Sequence, residues 1–177
     1  TMNKLDESDN LTRFGQTFFR FRDYTPIPLI LILMFVQQTT ALGATIGTLC
    51  VVLGEGLRIY SVAFIGSISR TRKNNLGSRL IQEGPFQWVR NPLYIANFFI
   101  AFGFSLFSGK LWFIVLLVIA FSVQYYFIVQ YEESLLEGVF GEEYTDYQLR
   151  TPAWIPRRIP SLDEWQSAKE GYVKDIR

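Results

Sequence analysis

Histidine is absent from this chain. That removes imidazole acid–base catalysis, Ser-His-Asp triads and His-ligated metal sites. Cysteine occurs once, at Cys50 inside an apolar block, so neither an intrachain disulfide nor a cysteine metal cluster can form. Charge is scarce as well. Charged residues make up 19% of the chain, against about 25% in soluble domains. The net charge of +1 gives no overall basicity that would point to nucleic acid. Any catalysis must therefore run on carboxylates, Arg, Lys, Tyr, amides or a cofactor. The first 25 residues are polar and charged, so no cleavable signal peptide is expected there.

What the chain has is apolar sequence in blocks. Its 177 residues are enough for one domain, and 49% of them are hydrophobic. Residues 1–25 read as a polar start followed by an interfacial segment. In that segment Phe14, Phe18, Phe19 and Phe21 alternate with Arg13, Arg20 and Arg22, with aromatics suited to the headgroup zone and arginines to phosphates. Residues 27–66 are almost continuously apolar. As one helix they would run roughly 60 Å, about twice a hydrocarbon core, so two crossings joined near Gln37–Thr40 are expected. The first, residues 26–38, is short enough to suit a re-entrant segment too, and the second covers 41–66. A connector at 67–91 carries Arg70, Arg72, Lys73, Arg79 and Arg90. Two further apolar spans, 92–107 and 110–131, are separated by Ser108-Gly109, and a polar tail begins at Glu132.

The expected fold is an all-α integral membrane bundle of four transmembrane helices. Basic residues gather in the N-terminal stretch, the connector and the tail, while the tight turns carry only Lys110. Four crossings place all three basic segments on the cytoplasmic side, with both termini there. The implied organisation is a polar and interfacial N-terminal segment (1–25), a membrane domain with its cytoplasmic C-terminal segment (26–160) and a polar C-terminal tail (161–177).

Gly43, Gly47, Cys50 and Gly54 fall on one stripe of the second span, where another helix can approach closely. Glu55 and Arg58 follow one turn later, with Arg58 near the edge of that stripe and expected to face protein. Charges beside a membrane span mark sites or pathways, and a mutually neutralising pair is the other reading of these two.

The stretch Gly84-Pro85-Phe86-Gln87-Trp88-Val89-Arg90-Asn91-Pro92-Leu93-Tyr94 reads as a turn, a short amphipathic piece and a helix start. Asn91 before Pro92 suits an N-cap with proline at the first helical position. A helix N-terminus beside Arg90 can hold an anion such as a carboxylate. An ordinary interfacial belt of Trp, Tyr and Arg would look the same.

Glu132 and Glu133 follow the last apolar block, and the helix is expected to continue through Leu135, Leu136, Val139 and Phe140 until Gly141. At about 100° per residue, those apolar side chains centre on the direction of Glu132, with Glu133 at the border. A carboxylate there must find a partner or remain protonated, and Arg58, Arg90 or a bound cation are candidate partners. Tyr144 and Tyr147 share one helical face, and Pro152, Pro156 and Pro160 stiffen the tail.

Together, GPFQWVRNPLY, EESLLEGVFGEEYTDY and TPAWIP resemble the isoprenylcysteine carboxyl methyltransferase and phospholipid methyltransferase superfamily, over roughly residues 54–160. The resemblance implies a membrane enzyme that uses S-adenosylmethionine, with Arg90, Asn91, Pro92, Tyr94, Glu132, Glu133, Tyr144 and Tyr147 as cofactor-pocket residues. It implies catalytic roles for Glu132 and Arg58, and a lipid-like or prenylated acceptor entering sideways from the bilayer. Two positions depart from the pattern. Asn91 stands where many members carry His. Ile128-Val129-Gln130-Tyr131 has no basic residue where prenylcysteine carboxyl methyltransferases are expected to place one towards the substrate carboxylate. Two other readings remain open: an NADPH-dependent membrane reductase of the sterol-reductase type, and a non-catalytic membrane scaffold.

Overall fold

A computed structural model describes residues 14–22, 24, 26–36, 38–65 and 79–157. The basic residues Arg70, Arg72 and Lys73, the extreme N-terminus, Pro160 and the tail beyond 157 lie outside the described residues. Among the described residues the chain is all-helical, with no strand. Helix α1 covers residues 14–21. It is followed by α2 (Pro26–Val36), α3 (Ala41–Ile65), α4 (Pro92–Leu106), α5 (Leu111–Phe140) and α6 (Glu142–Arg150).

The expected apolar segments all form helices, but they differ in reach. Helices α3 and α5, with 25 and 30 residues, are long and apolar enough to cross a membrane. Helices α2 and α4 are apolar but have 11 and 15 residues. At 1.5 Å per residue they extend roughly 16 and 22 Å, less than a hydrocarbon core of about 30 Å. Large apolar side chains stay exposed along the two long helices, among them Leu42, Leu49, Val52 and Leu53 on α3 and Leu111, Val115 and Ile119 on α5. A helix that meets lipid presents such a surface, whereas a water-soluble protein rarely leaves one so extensive. Helix α5 runs past Glu132 and ends at Phe140, where Gly141 adopts φ 53° and its N–H bonds back to Glu137. A positive φ strains any residue with a Cβ, so glycine suits this helix end.

The chain forms two compact units: residues 1–54 with 98–135, and residues 55–97 with 136–177. In the first, the expected glycine stripe is an interhelical contact. A Cβ on Gly47 would lie 2.7 Å from the Gly103 carbonyl oxygen, and one on Gly103 would lie 2.6 Å from that of Gly47. A Cβ on Gly43 would meet the Leu106 carbonyl at 2.9 Å. The backbones of α3 and α4 therefore touch, which side chains at these positions would forbid. The turns beside this contact are fastened to each other. Thr39 Oγ1 donates to the Phe107 carbonyl (2.8 Å), the Gln38 N–H donates to the Ser108 carbonyl (3.0 Å), and Lys110 Nζ donates to Gln38 Oε1. Aromatic rings join α4 to α5, with Phe98 edge-on to Phe121 at 5.3 Å and Phe121 stacked on Tyr125 at 4.0 Å.

Candidate functional site

In the second unit two distant sequence motifs fold onto one another. The first begins with a 3-10 turn, Gly84–Gln87, that glycine makes possible. Gly84 has φ 58°, and a Cβ there would lie 2.6 Å from the ring of Phe64. Phe64 in turn meets Tyr60 edge-on at 5.1 Å, so the end of α3 seats the turn. Pro85 and Pro92 are buried. Helix α4 then starts at Pro92, as the Asn-Pro pair leads one to expect, and the Asn91 carbonyl accepts from the N–H groups of Tyr94 and Ile95.

The second motif supplies α6 and the segment after it. Tyr144 and Tyr147 lie on one face of α6 and are almost fully buried, their ring centroids 6.1 Å apart. The Tyr147 hydroxyl donates to the Phe86 carbonyl in the 3-10 turn (2.5 Å). Gln82, ahead of the turn, donates to Glu143 (3.2 Å) and accepts from Arg150 (3.3 Å).

Arg90 completes the junction. Its Nη1 donates to the Thr151 carbonyl at 2.6 Å and to the Gln148 carbonyl at 3.2 Å, which are the last acceptors of α6. A cation is favoured at a helix C-terminus, where carbonyls lack intrahelical donors. The backbone continues the match. Arg90 N–H donates to Pro152 O (2.9 Å), and Asn91 N–H and Nδ2 both donate to Ala153 O (3.3 Å each). Residues 90–91 and 151–153 thus run as a short hydrogen-bonded pair, although some 60 positions separate them in sequence.

Of the expected pocket residues, Arg90, Asn91, Pro92, Tyr94, Tyr144 and Tyr147 belong to this unit. Tyr94 is buried on the first turn of α4. Arg58 belongs to it too. It pairs with Glu55 at 2.9 Å, three residues back on α3, with side chains 49% and 39% exposed. The mutually neutralising pair is therefore formed, and Arg58 is more exposed than its place beside the glycine stripe led one to expect.

Glu132 and Glu133 belong to the first unit, and both are half-buried. Glu132 Oε1 is 3.3 Å from Arg22 Nη1. Arg22 was not among the expected partners, yet the sequence held a signal for it. Gly15, Phe18, Phe19 and Arg22 recur at the spacing of one helical face, and that face of α1 lies along α5. Phe18 stacks on Phe127 at 5.6 Å, Phe19 meets Tyr131 at 5.7 Å, and the Arg22 guanidinium lies 4.2 Å over the Phe19 ring. The expected interfacial segment is in this respect a packed helix.

Among the described residues, no group of three or more His, Cys, Asp or Glu could hold a metal ion.

Comparison with known proteins places these motifs. A sequence model of the phospholipid methyltransferase family matches residues 42–143. The chain is 30% identical over 113 residues to the nickel-cobalt-cadmium resistance protein NccN of Alcaligenes xylosoxydans xylosoxydans, covering 64% of this chain and 49% of that protein. It is 32% identical over 113 residues to the cobalt-zinc-cadmium resistance protein CzcN of Cupriavidus metallidurans, with the same coverage. It is 30% identical over 149 residues to protein-S-isoprenylcysteine O-methyltransferase of Schizosaccharomyces pombe, covering 80% of this chain and 60% of the enzyme. The chain thus spans about half the length of the first relatives it matches. The family match takes in both the Arg-Asn-Pro-x-Tyr element and the Glu pair, and the chain belongs to the phospholipid methyltransferase family.

Proposed function

We propose that this protein is an integral membrane methyltransferase that takes its methyl group from S-adenosylmethionine and passes it to a membrane-associated, lipid-like acceptor. The observation that carries the reading is the junction of Arg90 and Asn91 with residues 148–153. It folds together two of the motifs that resemble the superfamily.

The residues of this junction suit the cofactor chemically. The start of α4 offers the positive end of a helix dipole to a carboxylate. Tyr94, Tyr144 and Tyr147 bring aromatic rings, whose faces attract a cation such as a sulfonium. Arg90 fastens α6 by its last carbonyls and so keeps the tyrosine-bearing helix beside the start of α4. Arg90, Asn91, Pro92, Tyr94, Tyr144 and Tyr147 are the proposed cofactor-holding set here. Glu132 and Glu133 belong to the other unit and are proposed separately, on the strength of the family motif, as carboxylates that favour positive charge.

When bound, S-adenosylmethionine supplies a methyl group already activated by its sulfonium. The protein's part is then to align the acceptor behind that methyl at near contact distance. A carboxylate or thiolate acceptor needs no base, so a chain without histidine is adequate. An amine acceptor must lose a proton, and Glu132 or Glu133 is the proposed base for it. Arg58 is the proposed partner for an anionic acceptor.

Four crossings with both termini cytoplasmic belong to the same proposal, with α2 and α4 as the short spans. The metal resistance named for two of the relatives is theirs and is not carried to this chain.

Calorimetry with S-adenosylhomocysteine on the purified full chain tests the reading. Saturable binding that Arg90→Ala abolishes is expected. No heat at millimolar ligand, or saturable binding of NADPH in its place, would rule the reading out.

A further inference from the structure

Of the stretches that resemble the superfamily, TPAWIP serves the junction only with its first half. The carbonyls of Thr151, Pro152 and Ala153 accept from Arg90 and Asn91. The second half, Trp154-Ile155-Pro156, stands exposed. Trp154 is 39% exposed and Ile155 79%.

This tip is tied on both sides. Asn91 N–H and Nδ2 hold the Ala153 carbonyl, at 3.3 Å each. Beyond the tip, Arg157 Nη2 donates to the Leu149 carbonyl at 3.3 Å, so the chain folds back onto the end of α6. Pro152 and Pro156 fix φ on either side of Trp154 and Ile155. A loop so constrained keeps a large apolar side chain outward, where water alone gives it no reason to be.

Several features of the same unit say what covers it. Its base is bonded to Asn91, the residue before α4, so the tip stands where an apolar helix begins. With α4 in the bilayer, that is the border of the hydrocarbon core. Tryptophan favours this border. Arg157, two positions past Ile155, is exposed and has the sign that pairs with phosphate. Helix α6 is polarised in the same sense, with Glu142 and Glu143 in its first turn and Arg150 in its last, next to the tip.

We propose that Trp154, Ile155 and Pro156 form a membrane-contact tip, with Ile155 entering the boundary between headgroups and acyl chains of a phospholipid leaflet. The proposal rests on α4 lying in the bilayer, as proposed above, and not on methyl transfer. It gives the segment that carries α6 a bilayer contact of its own.

Cys50 is the chain's one cysteine, so Cys50→Ser leaves a background in which single nitroxide labels can be placed. The full chain is reconstituted in phosphatidylcholine vesicles. Collisions of each label with oxygen, which concentrates in lipid, are compared with collisions with a water-soluble nickel chelate. Ile155→Cys is the test site. Leu49→Cys, exposed on α3, is the lipid reference, and Glu142→Cys, exposed on α6, is the water reference. The label at 155 is expected on the lipid side, about 5–10 Å below the headgroup surface. A label at 155 as open to the nickel chelate as that at 142 overturns the proposal. So does a label shielded from both reagents, since protein would then cover the tip. If Ile155→Cys does not fold, Trp154→Cys is read by the same criterion. A label at Leu49 found in water would sink the membrane reading and the proposal with it, whereas Leu49 in lipid with Ile155 in water sinks the proposal alone.

Discussion

The two units are held together internally by different physics. In the unit of residues 1–54 and 98–135, backbones touch through Gly43, Gly47 and Gly103, and aromatic rings fill the remaining space. In the unit of residues 55–97 and 136–177, backbone carbonyls are the currency: Thr151, Gln148, Ala153, Pro152 and Phe86 all accept from distant donors. Lipid offers no hydrophobic drive for helix association, so close packing must hold helices there. A segment that pairs loop to helix end needs directional bonds. The first kind of unit should fail through added volume, and the second through lost donors.

The largest effect is therefore expected at the glycine contact. Gly47→Leu places a side chain where only 2.7 Å separates the would-be Cβ from a carbonyl oxygen, and backbone cannot give way as a side-chain tip can. Destabilisation of about 3 kcal/mol or more is expected, seen as loss of folded protein in detergent. Gly56→Ala is the matched control. Nothing lies within 4 Å of its Cβ position, so it should be neutral or stabilise by up to about 1 kcal/mol.

Next comes Arg90→Ala, which strips two carbonyls at the end of α6 of a charged donor. Hydrogen bonds to charged groups are worth about 1.5–3 kcal/mol each, so a clear drop in the thermal midpoint is expected. Arg90→Lys should recover only part, because a point charge cannot reproduce the planar fork. Tyr147→Phe removes one neutral bond to Phe86 and should cost about 1 kcal/mol, measured by the same melt.

The smallest stability effect belongs to the Glu55–Arg58 pair. With side chains 39% and 49% exposed, breaking it by Arg58→Gln should change stability by no more than about 0.5 kcal/mol. A fall in methyl transfer without a fall in midpoint would then support the proposed role for Arg58. Unchanged transfer would leave the pair as simple neutralisation.

Much of this was legible in the sequence. Apolar runs located α2 to α5, Asn91-Pro92 located the start of α4, and Gly141 located the end of α5. The spacing of Gly43 and Gly47 marked a contact face, although its partner Gly103 could not be named, because one helix's stripe says nothing of which neighbour meets it. Helix lengths were largely legible too: the apolar run 92–107 became a helix of 15 residues. What stayed illegible is whether so short a helix crosses a bilayer, because hydropathy does not report it. Tyr144 and Tyr147 were placed on one face, but not their burial, which depends on a turn about 60 residues upstream. Arg90 was expected to add charge beside the helix N-terminus. Its described bonds run to the C-terminal carbonyls of α6, a contact that no local spacing encodes. The Arg22 contact was not legible from its helix face alone, because Phe and Arg mixed on α1 suit a lipid headgroup zone as well as a packed helix face.

The central claim is methyl transfer to a membrane acceptor. Its most direct test is to incubate the purified protein with methyl-labelled S-adenosylmethionine and total membrane lipid, alongside a prenylcysteine analogue. The account predicts label in the organic-soluble acceptor with wild type and near-background label with Glu132→Gln or Arg90→Ala. Equal label in wild type and both variants, or none with either acceptor, would contradict it.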